Sequence, residues 1–343
     1  MSSFTRLLAI ESSCDETSAA VFLPQSQSLF QEIYSQVDLH KAYGGVVPEL
    51  ASRSHLEKMY GVVDTVLDQA SLSLSDVDAI AYTRGPGLVG PLLTGASYAD
   101  ALSLALGVPL IPIHHLEAHI TIPLFEFPEL TFPFLALLVS GGHTELILAQ
   151  DLGKYTLLGS TLDDACGEAF DKCGKHMGLD YPAGPVLSKM ADLHDPSEPF
   201  PILPEPLKGR KTLDFSFSGL KTAFSQSWAS TQLNYGVEAF SYALQSTIVS
   251  SLVSSVRRAF ELFPDYPLVV AGGVACNQSL RLRLRDLCSN MRRDVYFPSP
   301  QYCTDNAGMI VYNAYLRLEK FGLPRLQNQY DQKVQPRWPI ETL

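Results

Sequence analysis

Residues 7–22 read LLAIESSCDETSAAVF, and residues 134–149 read FLALLVSGGHTELILA. Each stretch is an apolar run of strand length, a tight turn of small residues, and a second apolar run. The first turn region carries the acids Glu11, Asp15 and Glu16, whereas the second carries Gly141 and Gly142. Each predicts a strand–turn–strand hairpin followed by a third strand-like run and then by alternating helices and strands. Two α/β lobes of one plan follow from this, a duplicated fold with a cleft between them and a boundary near Pro128–Phe132.

Working outward, the run near Phe30–Val37 leads into a helix over roughly 48–70, where Leu50, Leu56, Met59, Val63 and Val66 keep helical spacing. Strand 78–83, helix 92–106, strand 108–113 and a short helix from His115 complete the first half. The second half predicts strand 155–160, helix 164–177, a loop-rich stretch to Asp214 and a long helix 237–263. Strand 268–271, helix 277–289, strand 294–297 and helix 305–321 close the chain. The irregular stretch 178–214 is rich in proline and holds Lys208, Arg210 and Lys211; segments of that length carry function more often than ornament.

The 343 residues have a formal charge of −11, which excludes a simple basic nucleic-acid module. Residues 1–150 hold five Lys/Arg against sixteen Asp/Glu and account for all of it; residues 151–343 are neutral. A locally basic surface in the second half survives that test. Arg281, Arg283, Arg285, Arg292 and Arg293 against Asp286, and the cations 208–221 against Asp214, are candidates to meet phosphates. The longest uncharged stretch, Ala101–Leu116, is broken by Gly107, Pro109 and Pro112, so no membrane span is predicted. Met1–Arg6 leads straight into Leu7–Ile10, and six cysteines without a CxxC pair point to reduced thiols. A cytoplasmic protein is expected.

The sharpest constellation is His115-Leu116-Glu117-Ala118-His119. Residues four apart share a helix face, so both imidazoles can meet one ion, although two histidines alone fall short of a complete ligand set. A zinc protease of the H-E-x-x-H type places its base directly after the first histidine. Here Leu116 stands there, and Glu117 points round the helix away from the metal face. His114 reads as a bystander.

Two glycine turns follow strands: Ser140-Gly141-Gly142-His143-Thr144 and Gly272-Gly273-Val274-Ala275-Cys276-Asn277. Such turns offer backbone N–H groups to an anion, and the second enters a helix where α/β sheets bind nucleotides. Neither is a Walker A, since no G-K-[ST] follows. The acids of the first hairpin suit orienting a metal, a water or a nucleophile, or are solvated turn residues. Asp164, Glu168 and Asp171 line one helix face, where Glu168–Lys172 and Asp171–Lys175 are also ordinary ion-pair spacings. In Thr304-Asp305-Asn306, Thr or Asp reads as a helix N-cap.

Taken together, AIESSCDETSAAVF, GGVVPELASRSH, RGPGLVGPLLTG, HHLEAHI, LLVSGGHTEL, DDACGEAFDK, DFSFSGLKTA, AGGVACNQSLR and CTDNAGMI resemble the universal TsaD family of tRNA threonylcarbamoyladenosine transferases, along nearly the whole chain. The match looks bacterial. It implies an α/β actin-like ATPase (ASKHA) fold of two duplicated RNase H-like lobes. Residues 1–130 would form the lobe with the HxExH helix. Residues 131–343 would form the lobe with the glycine turns and the TDN aspartate, its last helix a candidate to pack back on the first lobe.

The resemblance also implies a metal held by His115, His119 and Asp305, one Fe(2+) per subunit or zinc, and ATP or an adenylate nucleotide in the cleft. It implies donor binding by Leu138, Val139, Ser140, Gly141, Gly142, Asp171, Gly184 and Asn277, and a catalytic role for Glu16 or Asp15. The reaction implied is transfer of threonylcarbamoyl from threonylcarbamoyl-AMP to N6 of adenosine 37 in tRNAs reading codons that begin with A. The implied partners are tRNA, TsaB, TsaE and a separate synthetase that makes the adenylate, with no membrane. Ala118, Ala183 and Ala307-Gly308 depart from the family pattern, each a small residue for a small one. A non-catalytic ATP-binding scaffold and a small-molecule kinase are the rival readings.

Overall fold

The computed structural model describes residues 4–327 and 334–343. Among these, ten strands form two five-stranded sheets. The strands are β1 (Leu7–Glu11), β2 (Glu16–Leu23), β3 (Ser28–Ser35), β4 (Ala79–Gly85), β5 (Leu110–His114), β6 (Phe134–Val139), β7 (Thr144–Asp151), β8 (Lys154–Ser160), β9 (Leu268–Ala271) and β10 (Val295–Tyr296). Leaving aside helical turns of five residues or fewer, the helices are α1 (Pro48–Gln69), α2 (Val89–Leu106), α3 (His115–Thr121), α4 (Cys166–His176), α5 (Gly184–Ala191), α6 (Ser218–Leu262), α7 (Gln278–Met291) and α8 (Ala307–Gln327).

The sheets run β3-β2-β1-β4-β5 and β10-β9-β6-β7-β8, the same order read from opposite ends. In each, the hairpin strands pair antiparallel (Leu8 with Val21, Leu135 with Leu148) and the first hairpin strand pairs parallel with a later one (Leu8 with Ile80, Leu135 with Leu268). The repeat legible in residues 7–22 and 134–149 is therefore a repeat of topology. β1 and β6 are apolar on both faces and buried along their whole length, as central strands covered on two sides must be.

Two compact units divide the chain. Unit 1 comprises residues 1–130, Leu152–Lys154 and Thr304–Leu343; unit 2 comprises Thr131–Asp151 and Tyr155–Cys303. The sequence places residues 131–343 in one lobe, with the last helix a candidate to pack back on the first. Residues 304–343 instead count with unit 1, because α8 packs on β1, β2, β5 and α3. Its Met309, Ile310, Val311 and Ala314 are fully buried there.

Unit 1 is held by Leu8, Ile10, Val21 and Ile80 of the sheet against Met59, Val62, Val63, Val66 and Leu67 of α1. Leu56, assigned to that buried stripe by its spacing, is 71% exposed. In unit 2, Phe215, Phe217, Phe224 and Phe240 close the core between the sheet and α6. Burying each such ring contributes roughly 2 kcal/mol.

Two helical segments went unread in the sequence. α5 lies inside the stretch expected to be irregular, started by Pro185 in its first turn. α6 begins at Ser218, well before the expected residue 237, because two helices meet at Gly236, whose φ of 79° only glycine adopts readily. Among the described residues, no helix is long and apolar enough to cross a membrane.

Candidate active site

β5 ends at His114 and the chain turns at once into α3, so both histidines of the HxxxH pattern lie on a helix fixed at a strand end. His115 and His119 stack edge to face, with ring centroids 4.7 Å apart. Asp305 reaches them from the residues before α8: its Oδ1 lies 3.4 Å from His115 Nε2 and 3.0 Å from His119 Nε2. One ligand atom from each of the three residues falls within 4.8 Å of the others, all inside unit 1.

Ligands about 2.1 Å from one ion stand roughly 3.0–3.4 Å apart, so this spacing fits a divalent cation. The donor set fits as well. Two imidazoles and one carboxylate suit Fe(II) or Zn(II) and leave positions open.

The electrostatics agree with a site for positive charge. Burial opposes a charged His115, yet Asp305 and Glu11 outweigh it and push the imidazole up to about 10. Burial keeps His119 low. Asp305, despite burial, is held well below the usual carboxylate range by both histidines. A metal ion would take the place of that proton.

Neighbouring residues of the HxExH helix have other work. Glu117 is fully buried, accepts from Arg317 Nη1 at 2.6 Å and from the Gly153 amide at 2.9 Å, and so has no access to the triad face. That removes the peptidase base for a physical reason. His114 faces the C-terminal segment, with its Nε2 2.9 Å from the Trp338 carbonyl. Its Nδ1 accepts from the Glu117 amide and so caps α3.

The predicted cap at Thr304 or Asp305 is corrected: Asn306 Oδ1 takes the Met309 amide at 2.9 Å, which leaves Asp305 free to face the histidines.

The acidic turn Ser12–Asp15 joins β1 to β2. His55 of α1 holds it, with Nε2 3.0 Å from the Cys14 carbonyl and Nδ1 2.7 Å from Thr17 Oγ1. Burial keeps His55 low, hence neutral, so Nε2–H donates and Nδ1 accepts. The Gln36 amide donates to the Asp15 carbonyl at 3.0 Å. Asp15 is buried at 6% exposure. Burial and the charges of Asp15, Asp305 and Glu11 push Glu16 well above the usual carboxylate range. The same turn raises Cys14, through burial and then Asp15.

Within unit 2 the two glycine turns touch. A Cβ on Gly272, itself at φ 91°, would run into the Val139 carbonyl, and one on Gly167 would meet the backbone of Ser140 and Gly141. Leu138 and Val139 end β6 and are buried, while Gly141 and Gly142 are exposed beyond them. Ser140 Oγ accepts from the His143 amide at 3.0 Å. Asn277 caps α7 by accepting from the Leu280 amide at 2.9 Å. Its Nδ2 donates to Gln245 Oε1 at 2.7 Å and Ser188 Oγ at 3.2 Å. Asp171 accepts from the amides of Ala183 and Gly184 at 2.8 and 3.2 Å, tying α4 to the start of α5. Leu138–Gly142 and Asn277 thus cluster around the two turns. Asp171 and Gly184 bind each other.

Glu168 does pair with Lys172, at 2.7 Å. Asp164 pairs with Lys172 and Lys221 instead of lining a ligand face. Two of the arginines offered for phosphate are engaged inside the fold. Arg281 donates to the Ala275 and Pro298 carbonyls, and Arg283 to Ser250 Oγ. Arg281 and the Cys303 hydrogen bond also shape Cys276. That bond lowers the thiol to about 7, against the effect of burial and with help from the guanidinium. Thr83, Ser188 and Gln245 carried no pattern in the sequence, since single Ser, Thr or Gln residues announce no partner.

Several solved structures share this architecture. Full-length HypF in its phosphate- and nucleotide-bound form is 14% identical, with a TM-score of 0.61 over 93% of this chain and 47% of that one. An activator of 2-hydroxyisocaproyl-CoA dehydratase from Clostridium difficile, with bound ADPNP, is 15% identical, with a TM-score of 0.53 over 92% and 96%. YeaZ from Pseudomonas aeruginosa is 21% identical over 45% of this chain, with a TM-score of 0.33. This chain spans 63% of the length of YeaZ and about half of HypF. At these identities the likeness shows the fold alone, the two-lobed α/β type of actin-like ATPases. The family model for TsaD, tRNA N6-adenosine threonylcarbamoyltransferase, matches residues 27–312, and the chain belongs to that family.

Proposed function

We propose that this protein transfers the threonylcarbamoyl group from threonylcarbamoyl-AMP to N6 of adenosine 37 in tRNAs reading codons that begin with A. The observation that carries the proposal is the convergence of His115, His119 and Asp305 in a chain of this family. The reaction has a defined difficulty. The N6 lone pair is delocalised into the adenine ring, so the amine is a poor nucleophile, whereas the mixed anhydride of the donor is already activated. Alignment and charge stabilisation are therefore what the protein must supply.

In unit 2, the exposed glycine turn at Gly141 and Gly142 and the turn before Asn277 suit the adenylate phosphate. The bond from Asn277 to Gln245 and Ser188 keeps that turn in place. In unit 1, His115, His119 and Asp305 would hold Fe(2+) or zinc, which supplies Lewis-acid polarisation of the carbonyl. As the N6–carbon bond forms and the carbon–oxygen bond to AMP breaks, the amine proton must leave. Glu16 or Asp15 of the first hairpin takes it, directly or through a water.

The acidic first half argues that tRNA is held jointly with TsaB and TsaE, in the cytoplasm, on adenylate made by a separate synthetase. The test is single-turnover transfer of labelled threonylcarbamoyl from preformed adenylate to tRNA, with and without those partners and a chelator. Transfer that is abolished by His115→Ala and by chelation supports the reading. Undiminished transfer in both overturns the role of the triad.

A further inference from the structure

We propose that Glu11 is a positioning residue for the metal centre: its carboxylate holds His115 through Nδ1 so that Nε2 is the ligand atom. The proposal rests on the reading of His115, His119 and Asp305 as metal ligands. Glu11 is the last residue of β1 and is wholly buried. A buried carboxylate without partners costs several kcal/mol, so its contacts show what it is there for.

Three groups converge on it. The Ser13 amide donates to Oε1 at 2.5 Å, Thr83 Oγ1 donates to Oε2 at 2.5 Å, and His115 Nδ1 lies 3.2 Å from Oε2. Ser13 Oγ also lies 3.3 Å from His115 Nδ1. An amide can only donate, and the two oxygens receive donors on both sides. His115 Nδ1 therefore carries a proton toward Glu11, which leaves Nε2, 3.4 Å from Asp305, as the nitrogen that gives up its proton to a metal ion.

The support is rigid. Glu11 and Thr83 sit on paired central strands, with Ile10 opposite Tyr82 in the parallel register. The two histidines are not equivalent. His119 Nδ1 is buried and has no hydrogen-bond partner among the described residues. One ligand is thus anchored from behind by a carboxylate, and the other is oriented by its helix alone. Carboxylates behind ligating histidines fix the tautomer and raise ligand basicity, and losing one weakens metal binding about 10–100-fold.

The experiment measures Zn(II) affinity by competition with a chromophoric chelator, on the full-length wild type, Glu11→Gln, Thr83→Val and His115→Ala. Thermal melting of each metal-free protein accompanies it. Glu11→Gln should bind Zn(II) about 10–100-fold more weakly. Thr83→Val, which removes one hydrogen bond from the carboxylate, should bind roughly fivefold more weakly. Nitrogen NMR of the Zn(II)-loaded wild type should show His115 protonated at Nδ1 and bound through Nε2, a readout that needs no variant to fold.

Unchanged affinity in Glu11→Gln, even with a lower melting temperature, overturns the proposal while leaving the triad intact. Coordination through Nδ1 does the same. A wild type that binds Zn(II) no better than His115→Ala removes the metal reading itself.

Discussion

The two hairpin turns occupy equivalent places in sheets of identical strand order, yet their residues are of opposite kinds. The turn after β1 is buried, acidic and pinned by His55, and it lies beside a centre for positive charge. The turn after β6 is exposed at Gly141 and Gly142 and carries no acid. A cysteine in each unit, Cys14 in the turn after β1 and Cys276 in the glycine turn after β9, reports a similar difference. Cys14 is pushed up by burial and carboxylates, while Cys276 is drawn down to about 7 by Cys303 and Arg281. On the proposed reading, one topology serves cation-and-proton chemistry in one unit and anion recognition in the other, by changing a handful of turn residues. Fold alone does not set function; the site residues do.

The largest break in that contrast should come from Asp305→Ala. It removes the carboxylate of the triad and should abolish bound metal and slow transfer at least about 1000-fold, roughly 4 kcal/mol of barrier. Metal analysis and single-turnover assay check it, and nucleotide binding by unit 2 should persist. Gly272→Ala attacks the other side. A Cβ there meets the Val139 carbonyl at an unfavourable φ, which should destabilise unit 2 by about 3 kcal/mol. Denaturant titration should show that loss, with metal content unchanged in the protein that remains folded.

The two capping asparagines sharpen the comparison. Asn306→Ala and Asn277→Ala should each cost about 1 kcal/mol of stability as lost caps. The first should weaken metal binding and the second nucleotide binding, measured separately by calorimetry. The smallest effect is on the thiols. Cys276 becomes a thiolate as pH rises through about 7, so its alkylation by iodoacetamide should reach half its limiting rate near that pH. Cys14 should stay protected well beyond it. Mass spectrometry after brief labelling decides, and faster reaction at Cys14 would overturn the order of the two thiols.

Much of this architecture is legible in the sequence because hairpins and amphipathic helices are local patterns. The HxxxH face is local too. Asp305 is not, since it lies 186 residues from His119, and the residues alone suggested a helix cap. Only the family resemblance pointed to it as a ligand. Glu11 could be placed in an acidic cluster, but its partners Thr83 and His115 meet it through strand pairing, which no spacing rule reveals. The arginine cluster failed differently. Composition counts Arg281 and Arg283 as surface charge, while the fold uses them as internal donors to carbonyl and hydroxyl oxygens. The helix from Ser218 was lost because Gly236 interrupts its periodicity.

The assignment of residues 304–343 to unit 1 has a consequence for how the molecule is made. Synthesis proceeds from the N-terminus, and domains commonly fold as they emerge. Here residues 131–303 leave the ribosome as a nearly complete unit while the first 130 residues still lack α8. Asp305, the Asn306 cap and Arg317, the buried partner of Glu117, are all supplied late. Residues 131–303 are therefore finished first, and the nascent chain cannot bring His115, His119 and Asp305 together until translation has passed Asp305.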